Sequence, residues 1–281
     1  MCRGYNAQDA ANSIWAVATM GVDDPRIVNG LANACVDKVR EFNSQNAANS
    51  LWAVATLGVT DAHVISSLSD ACVQRVKDLN PQNLSNALWS AAVLNIADSA
   101  ITYPLTAAVS ERFKTITRFE HAQQCLQAHY SGLTLSDEAV KHFHAILMAH
   151  PEPTSISNNQ LAVSATLTRL GYSPRLEVPV FNGLVTTDLV IEMPCSDSSG
   201  RLIKVCIEFD GPKHYLRPAM GSSDQVGSID GKTQLRNALL KRSGEFEMLI
   251  TIPYYEWDEI QHNNVKEEEY MKKKLSEGRR E

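Results

Sequence analysis

Four basic residues stand near one tyrosine in the second half of the sequence. Lysine and arginine neutralise phosphates and an aromatic ring stacks on a base, so these residue types together suit single-stranded RNA. The residues that we predict to make such contacts are Lys213, His214, Tyr215, Arg217, Lys232 and Arg236. Plain surface charge is the alternative. If the cations bind phosphate, replacing Lys213 and Arg236 with alanine weakens RNA binding and its salt dependence but changes stability little.

Three carboxylates of the same region lie on two predicted strands. Asp188 opens one strand, whereas Glu208 and Asp210 end the next. If these strands are neighbours, the three carboxylates converge at one edge of a sheet, with His214 four residues beyond Asp210. Such a cluster is a catalytic site, the vestige of one, or a group of side chains that holds loops together.

The elements that must position these residues form a predicted α/β domain over residues 151–281. A linker (residues 151–155) precedes a helix (159–170). Short β-rich runs separated by turn residues then predict three strands, followed by a helix, a fourth strand and a charged C-terminal helix. The runs are 176–180, 188–192 and 202–209, with turns at 182–183 and 196–200, then helix 232–242, strand 247–252 and a helix from about 265. We expect Tyr254, Tyr255 and Trp257 to cover the sheet and the last helix.

Residues 1–150 are dominated by a repeat. Three copies align without gaps over residues 6–42, 43–79 and 80–116, and Trp15, Trp52 and Trp89 recur at the same spacing of 37 residues. Asparagine caps and amphipathic spacing predict two helices in each copy. Such a hairpin cannot bury its apolar surface alone, so the copies are expected to stack into an α-solenoid. Residues 99–150 resemble a degenerate repeat and a capping hairpin.

Each copy places one tryptophan among small apolar residues of its first helix. We therefore predict that all three indoles are buried equivalently between repeats. A polar set is predicted to point outward instead, where it would read one nucleotide per repeat or form an ordinary solvated face. This set consists of Asp9, Ser13, Asn46, Ser50 and Asn83.

The composition limits the possible functions. Hydrophobic residues at 44% indicate a globular chain, and no apolar run is long enough to predict a membrane-spanning helix. The six cysteines include no C-x-x-C pair, so zinc ribbons have no support. The net charge of −6 means that nucleic acid would have to be bound by a few well-placed cations.

Three runs of the second half resemble a RAP domain: IEFDGPKHY (207–215), GKTQLRNALL (231–240) and LITIPYYEW (249–257). The resemblance covers about residues 200–262. Helical repeats followed by a RAP domain are similar to the heptatricopeptide and octotricopeptide repeat proteins and to the FAST kinase-like family. This resemblance implies an organellar factor that binds RNA and acts in RNA stability, processing or ribosome assembly, with ribosomal proteins as further partners. A structural subunit of an organellar ribosome or a similar assembly is the alternative.

The RAP domain in turn resembles the PD-(D/E)XK nuclease fold, which implies that Asp188, Glu208 and Asp210 hold Mg²⁺ if the site is active. Asp210 stands where the nuclease pattern has lysine, so we expect a degenerate site, no other cofactor, and a protein that is not an enzyme. A Mg²⁺-dependent endoribonuclease is the second alternative. The resemblance implies a mitochondrion or plastid, yet no Arg-rich leader precedes Asn6, so we expect a processed or incomplete N-terminus.

Overall fold

The computed structural model describes residues 4–150, 155–195, 200–220 and 226–278. Within the chain it separates two compact units. The first comprises Met1–Pro151 and His214–Leu235, and the second comprises Glu152–Lys213 and Arg236–Glu281. Most of the predicted linker (residues 151–154) and of the predicted turn at 196–200 lies outside the described residues.

Eight α-helices form the described part of residues 4–150. Their bounds are Ala7–Met20 (α1), Pro25–Lys38 (α2), Ser44–Thr56 (α3), Ala62–Gln74 (α4), Pro81–Val93 (α5), Ser99–Arg112 (α6), Phe119–Tyr130 (α7) and Asp137–Ala149 (α8). The predicted caps are confirmed, since the side chains of Asn6, Asn43 and Asn80 accept main-chain hydrogen bonds at the starts of α1, α3 and α5. The three predicted copies are therefore helical hairpins.

The hairpins stack in two rows. Helices α1, α3, α5 and α7 contact one another in that order, and α2, α4 and α6 form the second row, which α8 joins beside α6. The first row is alanine-rich, and residues such as Ala11, Ala48 and Ala87 are buried. Helix α6 completes the third copy, and α7 and α8 form a hairpin after it, as expected for the end of the repeats. Small residues in the first row permit close helix packing.

The three tryptophans are not equivalent, so the prediction of equal burial was wrong. Trp15 is 43% exposed, Trp52 is half-buried and Trp89 is 5% exposed. Trp89 differs because an amide side chain of the next helix in the row binds its indole. Trp89 Nε1 donates to Gln127 Oε1 of α7 at 2.9 Å. The positions in the same register on α5 and α3 carry Ser90 and Ala53, which have no side-chain amide to accept from an indole.

The predicted outward set is also placed differently. Asn46, Ser50 and Asn83 are buried, Ser13 is half-buried, and Asp9 is exposed. Asn46 and Ser50 face the preceding hairpin rather than solvent, since Asn46 Nδ2 donates to the main-chain oxygen of Ala7 at 3.3 Å and Ser50 Oγ lies 3.7 Å from Cys35 Sγ. A buried side chain cannot read a nucleotide, so Asn46, Ser50 and Asn83 are packing residues.

The described residues of 214–235, which we call the crossing segment, pack against the hairpins. The strand Arg217–Pro218 (β5) pairs in parallel with Val22–Asp23 (β1), and the main-chain nitrogen of Arg217 donates to the oxygen of Gly21 at 2.5 Å. The Ser228 main chain and hydroxyl both donate to Asp23 Oδ2, at 2.7 and 2.8 Å. The sequence places this segment in the second domain, whereas its contacts group it with the first unit.

The second unit contains a four-stranded sheet in the order β2, β3, β4, β6. The strands are Arg175–Val180 (β2), Val185–Pro194 (β3), Leu202–Asp210 (β4) and Met248–Pro253 (β6). The first two pairings are antiparallel, and β4 and β6 are parallel. The helices are Asn158–Arg169 (α9), Gly231–Arg242 (α10), Tyr254–Asp258 (α11) and Asn264–Glu277 (α12), of which α10 begins in the first unit. The predicted elements are confirmed with small shifts of their ends, and α11 is an addition.

The core of this unit lies between the sheet and α9, α11 and α12. Trp257 and Met271 are fully buried there with Leu167 and Ile207, as expected for Trp257. At its edge Arg169 of α9 pairs with Glu267 of α12 at 2.6 Å. The core therefore fixes the sheet edge at which Asp210 and Pro253 end neighbouring strands.

Candidate nucleic-acid interface

A polar stripe runs along the exposed side of the first helical row. Positions i, i+4 and i+7 of a helix share a face, and the stripe takes these positions from each of the first three hairpins. Gln8, Gln45 and Gln82 are exposed, and the asparagines pass from exposed at Asn12 to half-buried at Asn49 and Asn86. We call this set the amide stripe: Gln8, Asn12, Trp15, Gln45, Asn49, Trp52, Gln82, Asn86 and Trp89.

Helix α7 continues the amide stripe with two further amides. Gln124 Nε2 donates to Asn86 Oδ1 at 3.1 Å, and Gln127 accepts from Trp89. At this end the polar groups bond to one another, whereas at α1 the indole and both amides are exposed. The three glutamines were not predicted as contacts, although their recurrence at the repeat spacing is visible in the sequence. Primary amides carry donors and acceptors that can bond the edges of bases, and an indole can stack on a base.

The three predicted carboxylates do lie on adjacent strands. Pairing between β3 and β4 runs from Pro194 with Leu202 to Leu189 with Ile207. Beyond that point carboxylate side chains take the place of the main-chain hydrogen bonds between the two strands. Asp188 N donates to Glu208 Oε1 at 3.2 Å, and Phe209 N donates to Asp188 Oδ2 at 2.7 Å. The carboxylates thus satisfy main-chain groups where the strands separate.

Arg236 of α10 lies among these carboxylates. Its Nη2 is 2.6 Å from Asp210 Oδ1 and its Nη1 is 3.2 Å from Glu208 Oε2. The side chain of Arg236 is only 16% exposed. The prediction that Arg236 contacts RNA is therefore wrong, because the guanidinium is used inside the second unit. Replacing it would alter stability, contrary to the expectation for an exposed cation.

Two further residues that the sequence did not single out complete this group, which we call the carboxylate cluster. Gln160 Nε2 donates to Asp188 Oδ1 at 2.6 Å and to Glu177 Oε1 at 3.1 Å. Gln160 reaches the cluster from α9 and Glu177 from β2. No spacing in the sequence links these residues, because they come together only through the packing of α9 on the sheet.

The buried charges of the carboxylate cluster shift one another's pKa values. Burial raises the pKa of Glu208 to about 7, Arg236 lowers it and the charge of Asp188 raises it further. Burial also raises the pKa of Glu177, as does Asp188. Burial works against the charge of Arg236, but the carboxylates of Glu208, Asp210 and Asp188 outweigh it and raise the pKa of the guanidinium. The cluster is thus an internal ion pair with excess negative charge.

The carboxylate cluster does not fit Mg²⁺ as the nuclease resemblance implied. Within the ranges that the structure describes, no three His, Cys, Asp or Glu side chains are grouped so as to hold a metal ion. Arg236 donates to two of the three proposed ligands, Glu208 and Asp210. A guanidinium occupies the place of the cation, so Asp188, Glu208 and Asp210 have the geometry of a structural cluster rather than of a metal site.

A second exposed patch lies where β4 and β6 end together. Asp210 pairs with Pro253 in the parallel register, so the residues that follow both strands share one edge of the sheet. Lys213 follows β4 and is exposed, and Tyr255 follows β6 and is 38% exposed. Tyr255 was expected to cover the sheet, whereas its neighbour Tyr254 is half-buried and packs edge-on against it. Lys213 and Tyr255 form what we call the strand-end patch.

The remaining predicted contacts belong to the first unit. Lys232 and Arg217 are exposed, while His214 and Tyr215 are half-buried. His214 Nδ1 lies 3.0 Å from Thr233 Oγ1, and Tyr215 pairs with Ile229 through the main chain. His214 and Tyr215 thus help to close the crossing segment on itself, and Arg217 and Lys232 present charge to solvent.

A comparison with known protein families matches residues 207–274 to the RAP domain. The chain therefore contains a RAP domain, which begins within β4 and ends within α12 and includes the crossing segment. No curated protein matches the chain. The RAP domain indicates an RNA-binding function in general terms and RNA as the partner. In the described residues no helix is long and apolar enough to cross a membrane.

Proposed function

We propose that this protein binds single-stranded RNA of a mitochondrion or plastid and acts in the stability, processing or ribosome assembly of that RNA. The observation that carries the proposal is the coexistence of a RAP domain with an amide stripe that recurs in the first three helical hairpins and is most exposed on α1. The proposal includes an α-solenoid architecture for the hairpins, of the heptatricopeptide or octotricopeptide kind.

The amide stripe suits bases better than phosphates. Along Gln8, Asn12 and Trp15 it offers hydrogen-bonding groups and an exposed ring but no cation. Single-stranded RNA presents base edges and faces to such a surface, and each stacked base contributes about 1–3 kcal/mol. A net charge of −6 gives no general attraction to phosphate, so binding must come from these contacts and from a few cations.

The strand-end patch supplies one of those cations. Lys213 is exposed and Tyr255 is partly exposed at the same sheet edge. A phosphate on Lys213 and a base on Tyr255 would extend the RNA contact into the RAP domain. In the first unit Arg217 and Lys232 offer further phosphate contacts.

Catalysis is not part of the proposed function. A likeness to the PD-(D/E)XK fold accounts for the carboxylates at the separated strands, but Arg236 engages two of them. A Mg²⁺-dependent endoribonuclease would require that guanidinium to be displaced. The carboxylate cluster is better explained as the structural remainder of such a site.

A structural subunit of an organellar ribosome, or of a similar assembly, is the second candidate. The small number of hairpins favours it, because three copies of the stripe would contact only about three bases if each reads one. Cofractionation with ribosomal subunits rather than with free transcripts would support this candidate over the first.

The amide stripe can be tested at its most exposed ring. We expect Trp15→Ala to weaken binding of a single-stranded RNA pool by the equivalent of one lost stacked base, measured by fluorescence anisotropy at fixed salt. Tyr103→Ala is the matched control, because Tyr103 is a 72% exposed aromatic residue on α6, in the other row. Equal affinities of both variants and the unmodified chain would exclude the stripe from RNA binding. Crosslinking of RNA to the unmodified chain, followed by sequencing, would identify the RNA.

A further inference from the structure

The first hairpin has an apolar face that no other described residue covers. A groove of about 1230 Å³ lies along α1 and α2 and is lined by Ala16, Val17, Met20 and Ile27. Met20 is 53% exposed and Ile27 is 45% exposed. Large apolar side chains exposed side by side on a helical hairpin mark an interaction surface.

The repeat shows what this face does elsewhere in the same chain. One repeat later, Met20 corresponds to Leu57 and Ile27 to Val64, and these residues are only 6% and 2% exposed. Ala53 and Val54, the counterparts of Ala16 and Val17, are fully buried. In the second hairpin the face is thus covered by the hairpin before it. The exposed groove is the same interface without its other half.

A hydrogen bond of the interface points to the same occupant. Arg75 Nε donates to the main-chain oxygen of Phe42 at 2.6 Å, and Arg112 Nη2 donates to that of Leu79 at 2.5 Å. In each case the arginine reaches back to the end of the preceding hairpin. Lys38 holds this register position in the first hairpin, lines the groove and pairs with Glu41 at 3.1 Å. The face therefore keeps a cationic donor for a main-chain oxygen. One contact of the interface differs in the first hairpin. Asp9 stands at the register position of Asn46, and a carboxylate cannot donate the hydrogen bond that the Asn46 amide donates.

We propose that this face docks a further helical hairpin of the same 37-residue class, packed as α1 and α2 pack on α3 and α4. The occupant presents an alanine-rich helix face, like that formed by Ala10, Ala11 and Ala18, and a main-chain oxygen that accepts from Lys38. A second copy of the chain could pack on this groove through its own groove, but it would then present only Met20, Ile27 and Lys38. It would offer neither the alanine-rich face nor the main-chain oxygen.

The test supplies the occupant in register. A copy of residues 43–79 is placed directly before Asn6, which preserves the repeat because Asn80 follows residue 79 in the chain. We expect hydrogen exchange of α1 and α2 to slow at least tenfold and the midpoint of thermal unfolding to rise. The control is the same extension carrying Met20→Asp and Ile27→Asp, in which both gains should be lost. Circular dichroism verifies that the unextended double variant is folded.

The outcomes distinguish the occupants. Protection of α1 and α2 that depends on Met20 and Ile27 supports the proposal. An extension that leaves exchange and unfolding unchanged overturns it. A dimer of the unextended chain in light scattering, dissociated by Met20→Asp and Ile27→Asp, would show that a second copy occupies the groove and would equally overturn the proposal.

Discussion

Arg236 lies 2.6 Å from Asp210 at the end of β4, and the side chain of Asp210 is fully buried while that of Arg236 is 16% exposed. The same guanidinium lies 3.2 Å from Glu208. The carboxylates would otherwise be uncompensated in a site from which water is excluded, so Arg236 is what makes their burial tolerable.

Replacing Arg236 should therefore destabilise the folded protein strongly. We expect Arg236→Ala to lower the free energy of unfolding by about 3–5 kcal/mol, because it leaves Asp210 and Glu208 buried without their cation. Urea unfolding measures this change. Lys241→Ala on the exposed side of the same helix is the control and should change stability by no more than about 1 kcal/mol. Equal effects of the two substitutions would show that the ion pair contributes nothing.

The pH dependence of stability should report the protonation of Glu208. Burial, with the charge of Asp188, raises its pKa in the folded state to about 7 against the opposing effect of Arg236. Between its ordinary pKa and about 7 the folded state then binds a proton that the unfolded state releases. Its contribution is fully present below the ordinary pKa and is lost as the pH rises through 7.

We expect this group alone to account for a loss on the order of 3 kcal/mol between about pH 4 and pH 8. Glu208→Gln should remove that part of the slope, as measured by urea unfolding across the pH range. The difference between the two proteins isolates Glu208, because every other ionisable group is present in both. Parallel pH profiles would contradict the buried, protonated state.

The crossing segment approaches the hairpins too closely to accept an added methyl group at Gly231. A Cβ there would overlap the main-chain oxygen of Ala55 and lie 2.8 Å from Val93 Cγ1. We expect Gly231→Ala to destabilise the first unit by about 1–3 kcal/mol and to speed hydrogen exchange in α3 and α5. Gly211→Ala is the control, because no atom lies within 4 Å of its added Cβ and its φ is not positive. Unchanged exchange in α3 and α5 would mean that the segment does not pack there.

The helices and strands were predictable because their signals are local. The caps Asn6, Asn43 and Asn80 and the alternating apolar residues of β3 and β4 act within one or two turns or strands. The partner of Arg236 was not predictable, because the arginine and Asp210, 26 residues earlier, meet only through tertiary packing. The burial of Trp89 depended likewise on Gln127, a residue of the next hairpin.

The basic residues of the RAP domain differ in their surroundings, which a count of charges in the sequence does not reveal. Lys213 and Arg236 are both cations of the RAP domain, yet one is exposed and the other is paired with buried carboxylates. A prediction about RNA binding should therefore rest on Lys213 alone and not on Lys213 together with Arg236.

Lys213→Ala should weaken RNA binding without destabilising the protein. The lysine is exposed at the sheet edge that it shares with Tyr255, so its loss removes one phosphate contact and little packing. For single-stranded RNA, the slope of log K against log salt should become shallower by about 0.7. Tyr255→Ala should instead lower affinity with an unchanged salt slope, because stacking releases no counterions. Lys241→Ala serves as the charge control for the same titration. If Lys213→Ala alters neither affinity nor slope while Trp15→Ala weakens binding, the RNA lies on the hairpins and the strand-end patch has another role.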